Sequence, residues 1–360
     1  MKLMNEYSFD LPLRDLADAD TPQLLKEKRI SMQTELYQAL PDSDTRQWVK
    51  KVNEMHDHVM QQAVAICEKQ LSEAGYGPPP VAYSFIVFGS AGRLESTLWS
   101  DQDNGLIISD EPHEGKEDYF KQFGSTLADI LEAIGYEKCQ GKVMCSEPMW
   151  RKTLTDWRTQ LNTWRSDLSW EPVRNWIIAS DMRHMAGDAE LSNAWLDTLY
   201  GGIKETPQLP AAVLRNTVRH KATLNVLGQV VAERFGEHAG DFDVKYGIYI
   251  PLVNASRYLA LQHGIYESST LKRLERLIQL EAATLSLLEM MQEAFLTALR
   301  MRNSTPVQQV DGLYIGTGFM PQKDWKQRPL FHELRDSLGT VKKAHRVLQR
   351  QLRFLERRRL

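Results

Sequence analysis

The chain has 360 residues, of which 42% are hydrophobic and 25% charged. This composition excludes wholesale disorder and a collagen-like repeat. The formal net charge of −3 excludes a protein that coats nucleic acid through general basicity. Cys67, Cys139 and Cys145 have no CxxC spacing, which argues against a disulfide scaffold or a structural zinc site and favours the reducing cytoplasm.

Targeting and membrane segments are not expected. The N-terminus lacks the apolar core of a signal peptide. The longest uncharged stretch, residues 74–92, contains Pro78–Pro80, whereas a membrane span needs roughly 20 mostly apolar residues. We therefore expect a cytoplasmic protein with no membrane partner.

The N-terminal region, residues 1–77, is predicted to be helical. Apolar residues recur every three to five positions over residues 45–71, as on one face of a long amphipathic helix. The sequence GYGPPP at residues 75–80 ends this helix. We place the first domain boundary there.

Short apolar segments and helical patterns follow one another in the next region. Residues 81–88 (VAYSFIVF) and 104–109 are predicted strands. Residues 116–134 have one apolar helical face, and residues 150–164 carry tryptophan and leucine at helical spacing. The pattern predicts a small α/β domain over residues 78–205.

The remaining residues, 206–360, are predicted to form a helical domain. Its predicted elements are helices at 211–235, 246–263, 268–302 and 329–357, with a glycine-rich loop at 311–321. The predicted fold class is therefore α+β, with an α/β domain flanked by a helical N-terminal region and a helical C-terminal domain.

One stretch, Phe88–Ser109 (FGSAGRLESTLWSDQDNGLIIS), places polar residues between two predicted strands. Gly89 and Ser90 end the first strand, where glycine allows close approach to a phosphate and free N–H groups bind anions. Asp101 and Asp103 share a face because they are two residues apart, and Mg²⁺ prefers carboxylate and phosphate oxygens. A glycine turn or a DxD pair alone is usually structural; their combination predicts a phosphate and divalent-metal site.

This stretch resembles the nucleotidyltransferase superfamily that includes DNA polymerase β, kanamycin nucleotidyltransferase and the PII-protein uridylyltransferase, with the signature hG[GS]…R…[DE]xD. The segments GSAGRLEST, SDQDNGLI, CQGKVM and PMWR are similar to a bacterial signal-transduction group of PII-uridylyltransferase-like nucleotidyltransferases, often fused to CBS or cyclic-nucleotide-binding domains. Residues 210–355 resemble the substrate-binding domain of that group. The resemblance implies a polymerase-β-like catalytic domain.

The resemblance also implies a role for each matching residue. Gly89 and Ser90 would bind the triphosphate of a nucleotide, with Arg93 near the phosphates. Asp101 and Asp103 would be catalytic and would hold Mg²⁺.

A third catalytic carboxylate is expected from a later strand, and the resemblance points to Asp181. The alternative is that Asp181 caps a turn at residues 182–185. Glu95 also stands at a family position, where a structural role is expected.

The implied activity is a Mg²⁺-dependent transfer of NMP from an NTP, UTP or ATP, to an acceptor hydroxyl. The nearest family activity is uridylylation of a regulatory protein such as PII, in signal transduction. One alternative is adenylylation of a small molecule or of another protein, and a second is a non-catalytic regulatory or scaffold protein that keeps the fold. No nucleic acid partner is expected.

Two features depart from the group. The N-terminal region is too short and too helical for a CBS or cyclic-nucleotide-binding domain. Lys142 stands where the group has a small or polar residue, which leaves the nucleotide preference open.

Three weaker signals remain. His56 and Asp57 form an HD dipeptide that we place on a solvated helix face rather than at a metal. The basic run at residues 342–359 is interpreted as the exposed face of a terminal helix, with contact to an acidic partner or RNA as the alternative. The segment 243–260 is predicted to face the two aspartates across a groove and to contribute to base or acceptor recognition through Lys245, Asn254 or Arg257. The alternative is a plain packing helix with scattered polar residues on its surface.

Overall fold

The computed structural model describes residues 13–203, 205–217 and 230–357. The chain is α+β, as predicted. In its first part the elements are α1 (Pro22–Ala39), α2 (Thr45–Glu73), β1 (Tyr83–Val87), α3 (Gly89–Arg93), β2 (Asn104–Ile108), α4 (Lys116–Ala133), β3 (Arg151–Thr153), α5 (Leu154–Ser166), α6 (Trp170–Ala179), β4 (Arg183–Gly187) and α7 (Ala189–Gly201).

The second part is mainly helical. Its elements are α8 (Leu209–Thr217), β5 (Phe242–Asp243), a π-helical turn at Lys245–Tyr249, α9 (Ile250–Gln262), α10 (Thr270–Gln279), α11 (Leu285–Asn303), β6 (Val307–Val310), β7 (Leu313–Gly316), β8 (Phe319–Met320), α12 (Gln322–Trp325) and α13 (Arg328–Arg357). Short 3₁₀ helices precede and follow α1, at Leu13–Asp18 and Leu40–Asp42.

The site is organised by a four-stranded mixed sheet with the order β3-β2-β1-β4. The central strand β1 is antiparallel to both β2 and β4, and β2 is parallel to β3. Phe85 and Val87 point into a core built with α2 and α4, whereas Ile86 and Phe88 point into a second core that contains the tryptophans of α5 to α7. Because both faces are covered, all five residues of this strand are buried, instead of every second one.

Local interactions define both ends of α2, and the C-terminal end was predicted from the sequence. The Asp44 side chain accepts hydrogen bonds from the N–H groups of Arg46 and Gln47 and so caps the first turn. The helix ends at Glu73, and Gly75 then takes a positive φ of 91°.

The prediction of one helix over residues 268–302 was wrong. The chain forms α10 and α11 instead, and between them Glu281 adopts a left-handed φ of 48°. The apolar pattern continues across the break because both helices contribute to the same core.

The predicted helix at 211–235 is confirmed only in part. Its first residues belong to α8, and residues 218–229 lie outside the described part of the chain. Residues 230–235 are not helical.

The predicted glycine-rich loop at 311–321 was also wrong. Asp311 and Gly312 form the two-residue turn of a hairpin between β6 and β7, with positive φ values of 50° and 81°. This combination of angles is that of a type I′ turn, which Asp-Gly favours.

One hydrophobic core connects the helical regions to the sheet. It includes Met55 of α2, Phe85 of β1, Leu127 of α4, Leu288 of α11 and Leu338 of α13. The domain divisions at 1–77, 78–205 and 206–360 therefore remain predictions drawn from the sequence. None of the helices in the described part of the chain combines the length and apolar character that a membrane span requires.

Candidate active site

Asp101 and Asp103 lie side by side in the extended segment that enters β2. Between them Gln102 is buried, and its side-chain amide donates to the carbonyl oxygens of Ala128 and Tyr136 at 2.9 and 3.0 Å. Because side chains alternate along an extended chain, fixing Gln102 inward turns both carboxylates to the opposite side. The structure thus brings the predicted pair together.

A thiol joins this pair. One ligand atom from each of Asp101, Asp103 and Cys139 lies within 4.8 Å of the other two. Within the described part of the chain, no other three potential metal ligands come this close. Burial and the neighbouring Asp101 charge raise the pKa of Asp103 to about 7, the behaviour of a carboxyl group that shares a confined space with a like charge.

The predicted Gly-Ser turn is the first turn of the short helix α3. Gly89 has a positive φ of 56°, and a Cβ atom built there would overlap Oδ2 of Asp103. The backbone N–H of Phe88 also donates to the carbonyl of Asp103 at 2.8 Å. Position 89 is therefore glycine because a larger residue would displace the Asp103 carboxylate. This contact was not predicted from the sequence.

The two aspartates open on a cleft of about 400 Å³ between the sheet and the helical C-terminal residues, a volume in the range of ligand sites. Ser90 lies in its wall, and within the described residues its hydroxyl makes no hydrogen bond. The cleft is lined by Gly89, Ser90, Arg93, Thr97, Trp99, Ser100, Asp101, Asp103, Lys245, Tyr249, Ile250, Arg302, Thr305, Gly316, Thr317 and Gly318.

Arg93 lies in the cleft wall, but each guanidinium nitrogen already has a protein acceptor. Its Nε donates to Glu95 at 2.9 Å, one Nη to Asp181 at 2.5 Å and the other to the Tyr249 hydroxyl at 2.9 Å. Glu95 also accepts from the Thr270 backbone N–H at 2.8 Å. Glu95 thus has the structural role expected of it, because it ties α3 to the C-terminal helices.

Asp181 is held by arginines and lies outside the Asp101–Asp103–Cys139 group. Its carboxylate accepts from Arg93 and Arg257 at 2.5 Å each and from Arg273 at 3.1 Å. Burial alone would raise the pKa of this carboxyl, but the three guanidinium charges outweigh it and lower the pKa to about 2. The alternative that Asp181 caps a turn at residues 182–185 is wrong, since strand β4 begins at Arg183.

Behind this wall, the buried guanidinium groups of Arg257 and Arg273 also donate to Asp181, whereas Glu95 accepts from Arg93. Of these three arginines, Arg93 lines the cleft. Its positive charge attracts anions to this side of the cleft.

The C-terminal residues supply two further cations to the cleft. Lys245 lines it, as predicted for segment 243–260, and its charge acts on Asp103. Arg257 of the same segment reaches Asp181 instead. Arg302, which the sequence analysis missed, lies 3.9 Å above the Tyr249 ring and donates to the Glu95 carbonyl at 3.2 Å.

The cleft is also lined by three residues that were not predicted from the sequence, Gly316, Thr317 and Gly318. The β6–β7 hairpin carries these residues to the mouth of the cleft. The Asp311–Gly312 dipeptide between two strand-like segments was the signal that could have revealed the hairpin.

The predicted placement of the HD dipeptide on a solvated helix face was wrong for His56. The ring is buried, with Nδ1 2.7 Å from the Tyr136 hydroxyl and Nε2 2.8 Å from the Thr97 carbonyl. Asp57 forms a two-point ion pair with Arg183 at 2.7 and 2.9 Å. Both residues therefore connect α2 to the region around the sheet and the cleft.

As predicted, the basic run at residues 342–359 lies on the exposed face of a terminal helix, as far as residue 354, the last whose burial is described. Leu348 is buried, and Val341 and Leu352 pack against the core. Arg346, Arg350 and their basic neighbours lie on the outer side of α13.

Two models of known protein families match the two parts of the chain that line the cleft. The model of the family described as "Putative nucleotidyltransferase DUF294" matches residues 32–170. A second model, "Putative nucleotidyltransferase substrate binding domain", matches residues 207–352. The chain belongs to this nucleotidyltransferase family.

Residues from both matched ranges line the cleft. The first contains Asp101 and Asp103, and the second contains Lys245 and Arg302. Asp181 lies between the matched ranges. A comparison with curated proteins gave no match.

Proposed function

We propose that the protein is a divalent-cation-dependent nucleotidyltransferase that moves NMP from an NTP to an acceptor hydroxyl and releases pyrophosphate. The observation that carries the proposal is the pairing of two confined carboxylates, Asp101 and Asp103, with a cationic cleft built from both family-matched regions. Carboxylates attract the cation, and the cationic wall attracts the phosphates.

The residues present fit Mg²⁺, the cation that the family resemblance implies. Asp101 and Asp103 provide hard oxygen ligands, and their mutual repulsion is relieved by a positive ion between them. When bound, the cation would supply charge neutralisation on the phosphates and would lower the pKa of the acceptor hydroxyl.

The remaining contributions come from the chain itself. Ser90 offers an uncommitted hydroxyl to the phosphates, and Gly89 keeps α3 close to Asp103. Lys245 and Arg302 offer positive charge to the triphosphate from the opposite wall. Arg93 adds charge while its N–H groups hold Glu95 and Asp181 in place.

We assign Asp181 a positioning role in this proposal rather than that of a third catalytic carboxylate. Its oxygens are occupied by three guanidinium groups. It fixes Arg93 and Arg257 and thereby the relative placement of the two cleft walls.

For the finer specificity, we propose UTP as donor and a regulatory protein such as PII as acceptor, in a cytoplasmic signalling role. This follows the family resemblance, and the three unpaired cysteines accord with a reducing compartment. ATP as donor, with a small molecule or another protein as acceptor, is the second candidate, because a cleft that recognises phosphates leaves the base open.

The test compares NTPs labelled at the α- or the γ-phosphate, each incubated with the protein, cell lysate and Mg²⁺. Transfer of the α-label alone, with release of pyrophosphate, is expected for one of the common NTPs. Asp101→Asn and Asp103→Asn should each retain less than about a tenth of the activity, a loss of at least ~1.4 kcal/mol in transition-state stabilisation.

Asp118→Asn, an exposed carboxylate in the first turn of α4, is the matched control and should keep full activity. Label in a protein band identifies a protein acceptor, and label in the small-molecule fraction identifies the second candidate. Absence of α-label transfer with every NTP would support the non-catalytic scaffold and contradict the proposal.

A further inference from the structure

The thiol of Cys139 has no part in the activity proposed above, yet it lies beside both aspartates. Its sulfur and one carboxylate oxygen from each of Asp101 and Asp103 are within 4.8 Å of one another. Metal–oxygen and metal–sulfur bonds are about 2.0–2.3 Å long. One cation placed among the three atoms could therefore bond to all of them after small side-chain adjustments.

The backbone fixes this juxtaposition on both sides of Asp103. The N–H groups of Gln102 and Asn104 donate to the first and last carbonyl groups of the loop 137–143, each at 3.0 Å. Asp103 lies between these two hydrogen bonds on one segment, and Cys139 lies between them on the other. The backbone thus holds the segment that carries Asp103 against the loop that carries Cys139.

The other two thiols have different surroundings. Cys67 and Cys145 are buried, and their S–H groups donate to the carbonyls of Phe123 and Gly124 at 3.6 and 3.7 Å. Cys139 is partly exposed. It is consequently the cysteine that a cation or a thiol reagent reaches in the folded protein.

We propose that Cys139 is a third protein ligand of the cation held by Asp101 and Asp103, so that the site binds thiophilic divalent cations such as Zn²⁺ or Cd²⁺ more tightly than Mg²⁺. This inference rests on the proposed function, in which the two carboxylates bind a cation, and extends it to the type of cation that the site prefers. Sulfur is a soft donor that favours such cations, whereas Mg²⁺ favours an all-oxygen set. The thiol loses its proton to solvent as the metal–sulfur bond forms.

The direct test titrates the full-length protein with Cd²⁺ and follows the ultraviolet sulfur-to-metal charge-transfer band. The band is expected in the wild type and in Asp118→Asn, and it should disappear in Cys139→Ser and Cys139→Ala. The Cd²⁺ affinity of these two variants should fall by about tenfold or more, a typical cost of disturbing a metal site, while their Mg²⁺ affinity stays within about twofold of wild type. A wild-type titration without the band, or an unchanged Cd²⁺ affinity in both cysteine variants, would overturn the proposal.

A second measurement needs no cysteine variant. Iodoacetamide labelling followed by peptide mass analysis should modify Cys139 before Cys67 and Cys145, and Cd²⁺ should slow labelling of Cys139 strongly while an equal concentration of Mg²⁺ does not. Asp103→Asn should weaken this protection. Equal labelling of Cys139 with and without Cd²⁺ contradicts the proposal.

Neither measurement uses a nucleotide, so the two proposals fail separately. Cadmium binding through sulfur without nucleotidyl transfer would leave this inference standing and remove the proposed function. Nucleotidyl transfer that depends on Asp101 and Asp103, with no sulfur-to-metal band, would support the proposed function and overturn the inference on Cys139.

Discussion

At the scale of single residues, Gly89 packs directly against the Asp103 carboxylate. The backbone of α3 passes so near the carboxylate that no side chain fits at position 89. The positive φ adds a further cost for any residue other than glycine. Gly89 therefore sets the position of the Asp103 carboxylate, the proposed cation ligand, from 14 residues earlier in the chain.

Replacing this glycine should therefore disable the metal site before it unfolds the protein. In Gly89→Ala the new methyl group displaces the Asp103 carboxylate, and we expect cation affinity and transfer to fall by about tenfold or more, ~1.4 kcal/mol. Calorimetric titration with a divalent cation measures the effect.

Gly77→Ala is the control for backbone strain, because Gly77 also has a positive φ, of 74°, but a Cβ there meets no atom within 4 Å. It should lose about 1 kcal/mol of stability with unchanged cation affinity. Equal cation affinity in Gly89→Ala and wild type would contradict the assigned packing.

Asp181 allows the positioning role to be distinguished from a catalytic one. Asp181→Asn removes the carboxylate that pairs with the buried Arg257 and Arg273, while Arg93 keeps Glu95, so we expect a loss of roughly 3–5 kcal/mol in the free energy of unfolding. Denaturant unfolding gives this value, and cation affinity at Asp101 and Asp103 should change little in the folded variant.

The control is Asp57→Asn, which removes a partly exposed ion pair with Arg183 and should cost about 1 kcal/mol. If Asp181→Asn weakened cation binding as much as Asp103→Asn, Asp181 would be a ligand after all.

At the scale of elements, the β6–β7 hairpin extends from its Asp311–Gly312 turn to the mouth of the cleft. Its Asp311–Gly312 turn points toward α1, where a Cβ on Gly312 would lie 3.1 Å from Ile30. Its other end carries Gly316 and Thr317 into the cleft wall. A change at the turn is therefore transmitted along two paired strands to the site.

Gly312→Ala should lower both the melting temperature and the affinity for NTP. Alanine in the left-handed conformation costs about 1–2 kcal/mol, and the hairpin that bears Thr317 is the element that relaxes. Thermal unfolding and NTP titration measure the two effects.

Gly115→Ala provides the comparison, since Gly115 has a similar positive φ of 77°, no atom near a Cβ, and a place at the start of α4. It should be destabilised to a similar extent with unchanged NTP affinity. A loss of NTP affinity in both variants would show that general destabilisation, and not the hairpin, controls the site.

At the scale of the whole molecule, the N-terminal helices are part of the structure that supports the active site. His56 of α2 bridges Tyr136, at the end of α4, and Thr97, which lines the cleft. The Thr97 carbonyl can only accept, so Nε2 carries the proton, and Nδ1 of the neutral ring accepts from the Tyr136 hydroxyl. Protonation of His56 would break this bridge.

The buried histidine predicts a specific pH dependence of stability. Burial, and then the Arg29 charge, lowers the pKa of His56 to about 3, whereas an unfolded chain has about 6.5. Between these values only the unfolded state takes up the proton. The contribution of neutral His56 is therefore complete above about pH 6.5 and is lost as pH falls toward 3, by ~1.4 kcal/mol per pH unit.

Denaturant unfolding at several pH values between 7 and 5 tests this expectation. Relative to His56→Gln, the wild type should lose about 2 kcal/mol more over that interval. His58→Gln, an exposed histidine on the same helix, should follow the wild-type curve. Parallel curves for wild type and His56→Gln would contradict the prediction.

The sequence by itself determined the features that depend on neighbouring residues along the chain. The apolar run of β1, the alternation that places Asp101 and Asp103 on one side of Gln102, and the glycines that end α2 are all local patterns. The α+β class and the nucleotidyltransferase family followed from these patterns and the motif around them.

The tertiary structure alone decided which distant residues meet at the site. The two arginines from α9 and α10 that bind Asp181 come from 76 and 92 positions away, and Arg302 reaches Glu95 over 207 positions. No local pattern encodes such contacts, since they depend on how helices pack on the sheet. The same packing decides that Cys139 meets Asp103 and that His56 is buried, because these placements follow from the fold of the whole chain.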